Sequence, residues 1–256
     1  GPWRRRRFRR ACGPADAMRL DAALVARGLA RSRKHAAELV ATGKVSVDGR
    51  PARKASETVT DASEIAAASD HYVSRAAHKL LGALAASDTH VSGRALDAGA
   101  STGGFTQVLL ERGCAPVYAV DVGHGQLADV LRADPRVVVR ERLNLRDLTL
   151  ADLGGQPVDV VVADVSFISL RMLAAPLLGV LRPSGVALFM VKPQFEVGRA
   201  GLDAHGVVTD SALRDAAVDG VIEAAAAQGW TCDWRAETTL PGTGGNREFF
   251  VRLRHL

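Results

Sequence analysis

From Arg94 onward, short apolar runs alternate with longer amphipathic stretches. The runs ALDAGA, VYAVDV, VVV, VDVVVADV and VALFMV are rich in Val, Ala and Leu. A strand buried on both faces reads as a continuous apolar run, so these predict a parallel sheet covered by helices. The stretches Phe105–Arg112, Gln126–Arg132, Leu170–Leu181 and Ser211–Gln228 read as the covering helices. A closing hairpin is expected near Trp230–Glu237 and Glu248–Leu253. The fold class is α/β, doubly wound.

The first sixty residues have a different rhythm. Asp21 is expected to cap a short helix carrying Leu24 and Val25, ended by Gly28. Ser32 is expected to cap a second helix with Ala36, Ala37, Leu39 and Val40 on one face, stopped at Gly43. Lys44 to Gly49 alternates and runs into an Asp48-Gly49 turn, a hairpin signal. A polar connection, Ser69-Asp70-His71, leads to a helix carrying His78, Lys79, Leu80, Leu81 and Leu84. The pattern predicts a disordered basic extension at 1–18, a small α+β unit at 19–68, a linker at 69–76 and the α/β domain at 77–256.

Charge sharpens this division. Residues 1–79 carry a balance of +9 and residues 80–256 a balance of −4. A basic front on an acidic body indicates a polyanion-binding module joined to something else. Gly1-Pro2 reads as a tag remnant and Met18 as a potential start. Without the first 18 residues, Arg19–Lys54 still holds 9 basic and 3 acidic residues. The three cysteines form no CxxC pair, and the seven histidines no HExxH, so no metal and a reducing compartment are expected. No apolar run reaches the roughly 18 residues of a membrane span. A cytoplasmic protein without a membrane or an obligate protein partner is the expectation.

Candidate chemistry begins at the first strand of the larger domain. Asp97-Ala-Gly99-Ala-Ser101-Thr-Gly103-Gly104-Phe105 is a Gly-rich turn between strand and helix, which lets a ligand approach the backbone. A dinucleotide fingerprint would need glycine at Ser101, and no GK[ST] follows for a P-loop. The acidic Asp97 suits a ligand with a cationic amino group and a sulfonium better than a pyrophosphate. Asp121 ends the next strand, with Val122 after it, where ribose hydroxyls would be bound. Asp164 and Lys192 end two further buried runs, and Glu248 borders the last. A lysine ending a core strand is partly desolvated, which favours the neutral amine and suits a base. With Lys79, these make a Lys-Asp-Lys-Glu set directed at one cleft.

Two resemblances follow from these residues. RLDAALVARGLARSRKHAAELVATGKVSVDGR resembles the S-four RNA-binding domain over about forty residues. Such domains bind structured RNA through phosphate contacts, which implies RNA-binding roles for Arg19, Arg27, Arg31, Arg33, Lys34 and Lys44, with Arg75 beyond them. The set Lys79, Asp164, Lys192, Glu248 with DAGASTGGFT resembles the FtsJ/RrmJ class of ribose 2′-O-methyltransferases. SRAAHKL, DVGHGQL, ADVSFISL, VKPQFEVG and GNREFF, behind an S-four domain, are similar to the TlyA (haemolysin A) family over residues 19–253. The resemblance implies a Rossmann-like class I methyltransferase sheet, S-adenosylmethionine as cofactor, and 2′-O-methylation of cytidine in ribosomal RNA or ribosomal subunits.

It also implies a catalytic tetrad of Lys79, Asp164, Lys192 and Glu248, with Lys192 the base and Asp164 and Glu248 beside it. The cofactor would lie on Asp97, Gly99, Ala100, Ser101 and Thr102, then Gly103, Gly104 and Phe105. Asp121, Val122, Asn144, Leu145 and Asp164 would complete its site. The competing expectations are a non-catalytic RNA-binding assembly factor and, as the family label suggests, a membrane-active haemolysin.

Overall fold

The computed structural model describes residues 17–30, 32–67 and 71–255. The basic extension up to Asp16, Arg31 among the expected RNA contacts, and Ser69-Asp70 of the expected linker lie outside the described residues. The chain divides between His71 and Tyr72 into two compact units.

The small unit runs β1 (Met18–Arg19), α1 (Leu20–Ala26), α2 (Arg33–Ala41), β2 (Val45–Val47), β3 (Arg50–Pro51), β4 (Thr58–Val59) and β5 (Ile65–Ala67). Met18, which the sequence placed in the extension, instead pairs with Val59. Between β2 and β3, Asp48 and Gly49 both have positive φ (49° and 75°), the geometry a two-residue hairpin turn requires. Leu20, Leu24, Leu39, Val40, Val45 and Val59 form the core. Ser32 caps α2 by accepting from the His35 amide. Asp21 is not a cap as expected: Arg19 precedes the helix, and Asp21 lies buried within its first turn. Its carboxylate accepts from Arg19 (3.0 Å) and Arg33 (3.1 Å), which holds it near a pKa of about 2.

The larger unit opens with α3 (Ala76–Ala86), whose Ala77, Leu80, Ala83 and Leu84 are buried. Then follow β6 (Gly93–Ala98), α4 (Gly104–Glu111), β7 (Cys114–Asp121), α5 (Asp129–Arg132), β8 (Val137–Glu141) and β9 (Val158–Ala163). The unit ends with α6 (Ala174–Gly179), β10 (Leu181–Val191), α7 (Ser211–Ala226), β11 (Thr231–Glu237) and β12 (Phe249–Arg254). The sheet order is β11-β12-β10-β9-β6-β7-β8. All pairs are parallel except those made by β12, so the closing hairpin stands where the sequence placed it. The chain steps outward from β6 to β8, then returns to β9 on β6's other side. The carboxyl ends of β6 and β9 therefore flank the switch point where α/β sheets bind ligands.

Two cores cover the two faces. Leu153, Leu170, Leu173, Leu177 and Trp230 pack on one, with α6 and α7. Leu80, Phe105, Leu109 and Phe250 pack on the other, with α3 and α4. Helix α5 is shorter than predicted: Ala128 has non-helical backbone angles (φ −57°, ψ 138°) and its amide donates to the Thr102 carbonyl (3.2 Å), so the helix begins at Asp129. The helix read over Leu170–Leu181 is broken into a 3-10 turn (Leu170–Met172) and α6, and Leu181 already begins β10.

Residues 72–75, read as linker, are tied to α4: Tyr72 donates to Glu111 and the Val73 amide to Gln107 (both 2.9 Å). Arg252 of β12 reaches the end of α3, donating to the Ser87 carbonyl (2.5 Å) and Thr89 hydroxyl (2.9 Å). This strut fixes α3 against β12, the two elements that bring Lys79 and Glu248 together.

Candidate active site

The Gly-rich turn is shaped by backbone contacts. Gly99 has φ +85°, and a Cβ there would stand 2.5 Å from the Asp164 carbonyl, so only glycine lets the ends of β6 and β9 approach. Ser101 is also left-handed (φ 47°), with its amide donating to Asp121 (2.8 Å). The other Asp121 oxygen accepts from the Gly123 amide at 2.7 Å. Asp121 thus joins the loops after β6 and β7.

These loops enclose a cavity of about 560 Å³. Gly99, Ser101, Asp121, Val122, Asn144, Leu145 and Asp164 line it, all expected from the sequence. Gln126, Val165, Ser166, Phe167, Ile168 and Leu173 also line it and were not. Val165 to Ile168 fall in the phrase ADVSFISL and Gln126 in DVGHGQL, while Leu173 lies in neither, and none of these side chains carries chemistry that separates it from an ordinary loop residue. A smaller cavity of about 150 Å³ adjoins, lined by Asp97, Ala100, Thr102, Gly104, Phe105 and Lys192 among others. Gly103 lines neither. A side chain there would strike Leu127 and Leu131, so its left-handed φ of +100° serves packing.

Asp97 sits inside β6 and is fully buried. Thr106 donates to one carboxylate oxygen (2.7 Å), and the other has no hydrogen-bond partner among the described residues. Burial pushes its pKa up to about 7, against the opposing Thr106 bond and aided by the charges of Asp164 and Asp121. An orphaned buried carboxyl beside a cavity marks a place where a cationic donor would be satisfied.

The four charged residues form two pairs. Lys192 stands 2.7 Å from Asp164 and donates to the Ser166 hydroxyl at 2.8 Å. Lys79 donates to Glu248 at 2.5 Å, both being buried. Glu248 was expected beside Lys192, and its carboxylate turns to Lys79 of α3. The pairs are still neighbours, because Val191 and Phe249 are the last partners in register and Lys192 and Glu248 step off them at the same end. Adjacent strands run about 5 Å apart. Gly242 completes the Glu248 side, since a Cβ there would come within 2.2 Å of its carboxylate. We expect Gly242→Ala to cost about 1–3 kcal/mol of stability by overpacking, read as a lowered denaturation midpoint; an unchanged midpoint would show that Glu248 has room to move.

The profile of the FtsJ-like methyltransferase family matches residues 72–255, nearly the whole of the larger unit. The chain belongs to this family. An S4 domain profile matches residues 18–65 in the small unit. The 16S/23S rRNA (cytidine-2′-O)-methyltransferase TlyA of Mycobacterium tuberculosis (strain ATCC 25618 / H37Rv) is 52% identical over 240 residues, 92% of this chain and 89% of that protein. Hemolysin A of Brachyspira hyodysenteriae is 35% identical, over 92% of this chain and 99% of its own. A solved structure from Streptococcus thermophilus, provisionally named a hemolysin, matches with a TM-score of 0.74 at 34% identity, covering 93% of this chain and 88% of that one.

Within the small unit of this FtsJ-like chain, the described arginines expected to bind RNA have different partners. Arg19 and Arg33 converge on Asp21 and keep exposed edges. Arg27 is engaged within the small unit, donating to the carbonyls of Ser63 (2.6 Å) and Thr60 (2.8 Å), so it braces the turn before β5. Lys34 and Lys44 are exposed on the small unit, and Arg75 is exposed at the start of α3 in the larger one.

Proposed function

We propose that this FtsJ-like enzyme transfers the methyl group of S-adenosylmethionine to the 2′-hydroxyl of a cytidine in ribosomal RNA. The observation that carries the reading is the pairing of Lys192 with Asp164 beside a ligand-sized cavity, with Glu248 at the next strand end bonded to Lys79 of α3. The choice of cytidine in ribosomal RNA follows the Mycobacterium tuberculosis relative, at 52% identity over nine-tenths of the chain.

The residues present fit the cofactor. A cavity of about 560 Å³ lies in the ~300–1,000 Å³ range of small-molecule sites. The unsatisfied Asp97 oxygen offers an acceptor for an α-ammonium group. Asp121, held by two backbone amides, keeps lone pairs for ribose hydroxyls, and Val122, Asn144 and Leu145 wall the adenine side. When bound, S-adenosylmethionine supplies an electrophilic methyl group.

The chain's own residues prepare the acceptor. A ribose hydroxyl is a weak nucleophile, so its proton must be taken or its developing charge stabilised. Lys192 holds that role, oriented by Asp164 and Ser166. Lys79 adds a second positive charge, held in place by Glu248. Alignment of hydroxyl and methyl carries most of the remaining rate. Two lysine–carboxylate pairs at the ends of the adjacent strands β10 and β12 are costly to bury without a use, which favours an enzyme over a bare assembly factor. Among the described residues no helix is long and apolar enough to cross a membrane.

The small unit is the proposed RNA grip, with work in the cytoplasm where ribosomes are. Asp21 presents the Arg19 and Arg33 guanidinium groups side by side. Asp21→Asn removes a negative charge, yet we expect RNA affinity to fall by about three- to tenfold as the two arginines lose their anchor. Binding isotherms at two salt concentrations read this; tighter binding would show that the carboxylate only repels phosphate.

The enzymatic reading is tested by incubating the protein and methyl-labelled S-adenosylmethionine with ribosomal subunits from cells lacking it. Label is expected in ribosomal RNA, and its absence under saturating conditions would reject the reading.

A further inference from the structure

One acidic residue of the VKPQFEVG segment has no part in the chemistry above. Glu196 lies four residues after Lys192, with its side chain 2% exposed. A buried carboxylate is retained only when its oxygens are satisfied. Here they accept from the Ser169 hydroxyl (2.5 Å) and the Leu170 amide (2.7 Å), with Arg171 Nε at 3.3 Å. The Glu196 carbonyl accepts from Arg171 as well.

These contacts join the same two segments that meet at Lys192. Residues 192–196 form a tight turn, with the Phe195 amide bonded to the Lys192 carbonyl and the Glu196 amide to that of Pro193 (both 2.9 Å). Residues 164–170 form the facing loop. Lys192 crosslinks them at Asp164 and Ser166, and Glu196 crosslinks them again at Ser169 and Leu170.

Between the two crosslinks lies Phe167, at φ +65° and 91% exposed, with its ring 5.1 Å from that of Phe195. A bulky residue in the left-handed region persists only where its surroundings over-determine the backbone. The first crosslink alone rests on a flexible lysine side chain. The second supplies a buried carboxylate bonded to a backbone amide, which cannot swing away.

From this geometry we infer that Glu196 is a positioning residue: it clamps the 164–170 loop so that Asp164 and Ser166 hold Lys192 in its working orientation. The inference rests on the proposed methyl-transfer reading and extends it to a residue that touches neither cavity.

The test compares wild type with Glu196→Ala, Glu196→Gln and Ser169→Ala, on ribosomal subunits at saturating cofactor. Glu196→Ala is expected to lower kcat by about thirtyfold or more, the scale on which small misplacements of reacting groups act. KM for the ribosomal subunit should stay within about threefold. Glu196→Gln keeps the reach and an acceptor for the Leu170 amide, so it should recover most of the loss, and Ser169→Ala should fall between. A lower denaturation midpoint with unchanged kcat in all three variants would reduce Glu196 to a stabilising residue and overturn the inference. Should Glu196→Ala fail to fold, a wild-type kcat in both remaining variants would overturn it equally. A wild type that transfers no methyl group would overturn the proposed function and this inference together, whereas an active wild type matched by its variants would overturn this inference alone.

Discussion

Lys192→Ala is expected to lose methyl transfer by about a thousandfold, within the 10²–10⁴ range of a positioned acid–base group, while cofactor affinity stays within a few-fold of wild type. The separation follows from where the side chain stands. Lys192 borders the smaller cavity and is held by Asp164 and Ser166, whereas the 560 Å³ cavity is lined without it. Removing the amine leaves the Gly-rich turn, Asp97 and Asp121 unchanged in kind. It also leaves Asp164 without its cation, which is why the loss exceeds that of a single hydrogen bond. Single-turnover kinetics with labelled cofactor, beside calorimetric cofactor binding, separates the two quantities. Full turnover in this variant would remove Lys192 from the chemistry, and a parallel collapse of cofactor affinity would make it a binding residue.

Asp97→Asn should abolish measurable cofactor binding and, unusually for a site residue, make the free protein more stable above pH 7. The carboxyl is fully buried with its pKa raised to about 7, against an unfolded value near 3.9. A raised folded-state pKa means that the folded chain holds a proton which the unfolded chain has released. That contribution to stability is complete below about pH 4 and is lost as pH rises through 7. Asparagine does not titrate, so the variant's advantage should grow between those limits and level off at about 2–4 kcal/mol. Cofactor affinity of the wild type should run the other way, strengthening up to about pH 7 as the carboxylate forms and flattening beyond. Urea unfolding and calorimetry at pH 5 and pH 8 measure both trends. A variant less stable than wild type at pH 8 would show that the carboxylate is satisfied without a ligand.

That Asp164, Lys192 and Glu248 could be placed at strand ends from sequence has a simple physical basis. Each stands one step outside the buried apolar stretch of a strand, so a charge there is conspicuous and its location at the sheet's end is fixed by chain direction. Their pairing was not readable. Glu248 turns to Lys79 because α3 is pinned to β12 by Arg252, and no local pattern records a contact across 169 residues. Arg27 illustrates the same limit in the small unit. Its spacing and exposure match those of a phosphate-binding arginine, but the fold brings the Thr60 and Ser63 carbonyls within its reach. Gly103 belongs to a motif that reads as ligand-binding, while its clearance is set by Leu127 and Leu131. Glu196 carried no signal beyond its place in the phrase VKPQFEVG, since an acidic residue in a loop is ordinarily solvated.

We propose that Lys192, held by Asp164 at the end of β10, activates a ribose hydroxyl for methylation. The decisive measurement is nucleoside mass spectrometry of ribosomal RNA from cells lacking the protein, complemented with wild type or with Lys192→Ala. 2′-O-methylcytidine should be restored by wild type and absent with the variant. A methyl group found on the base, or the same ribose mark with both proteins, would contradict it.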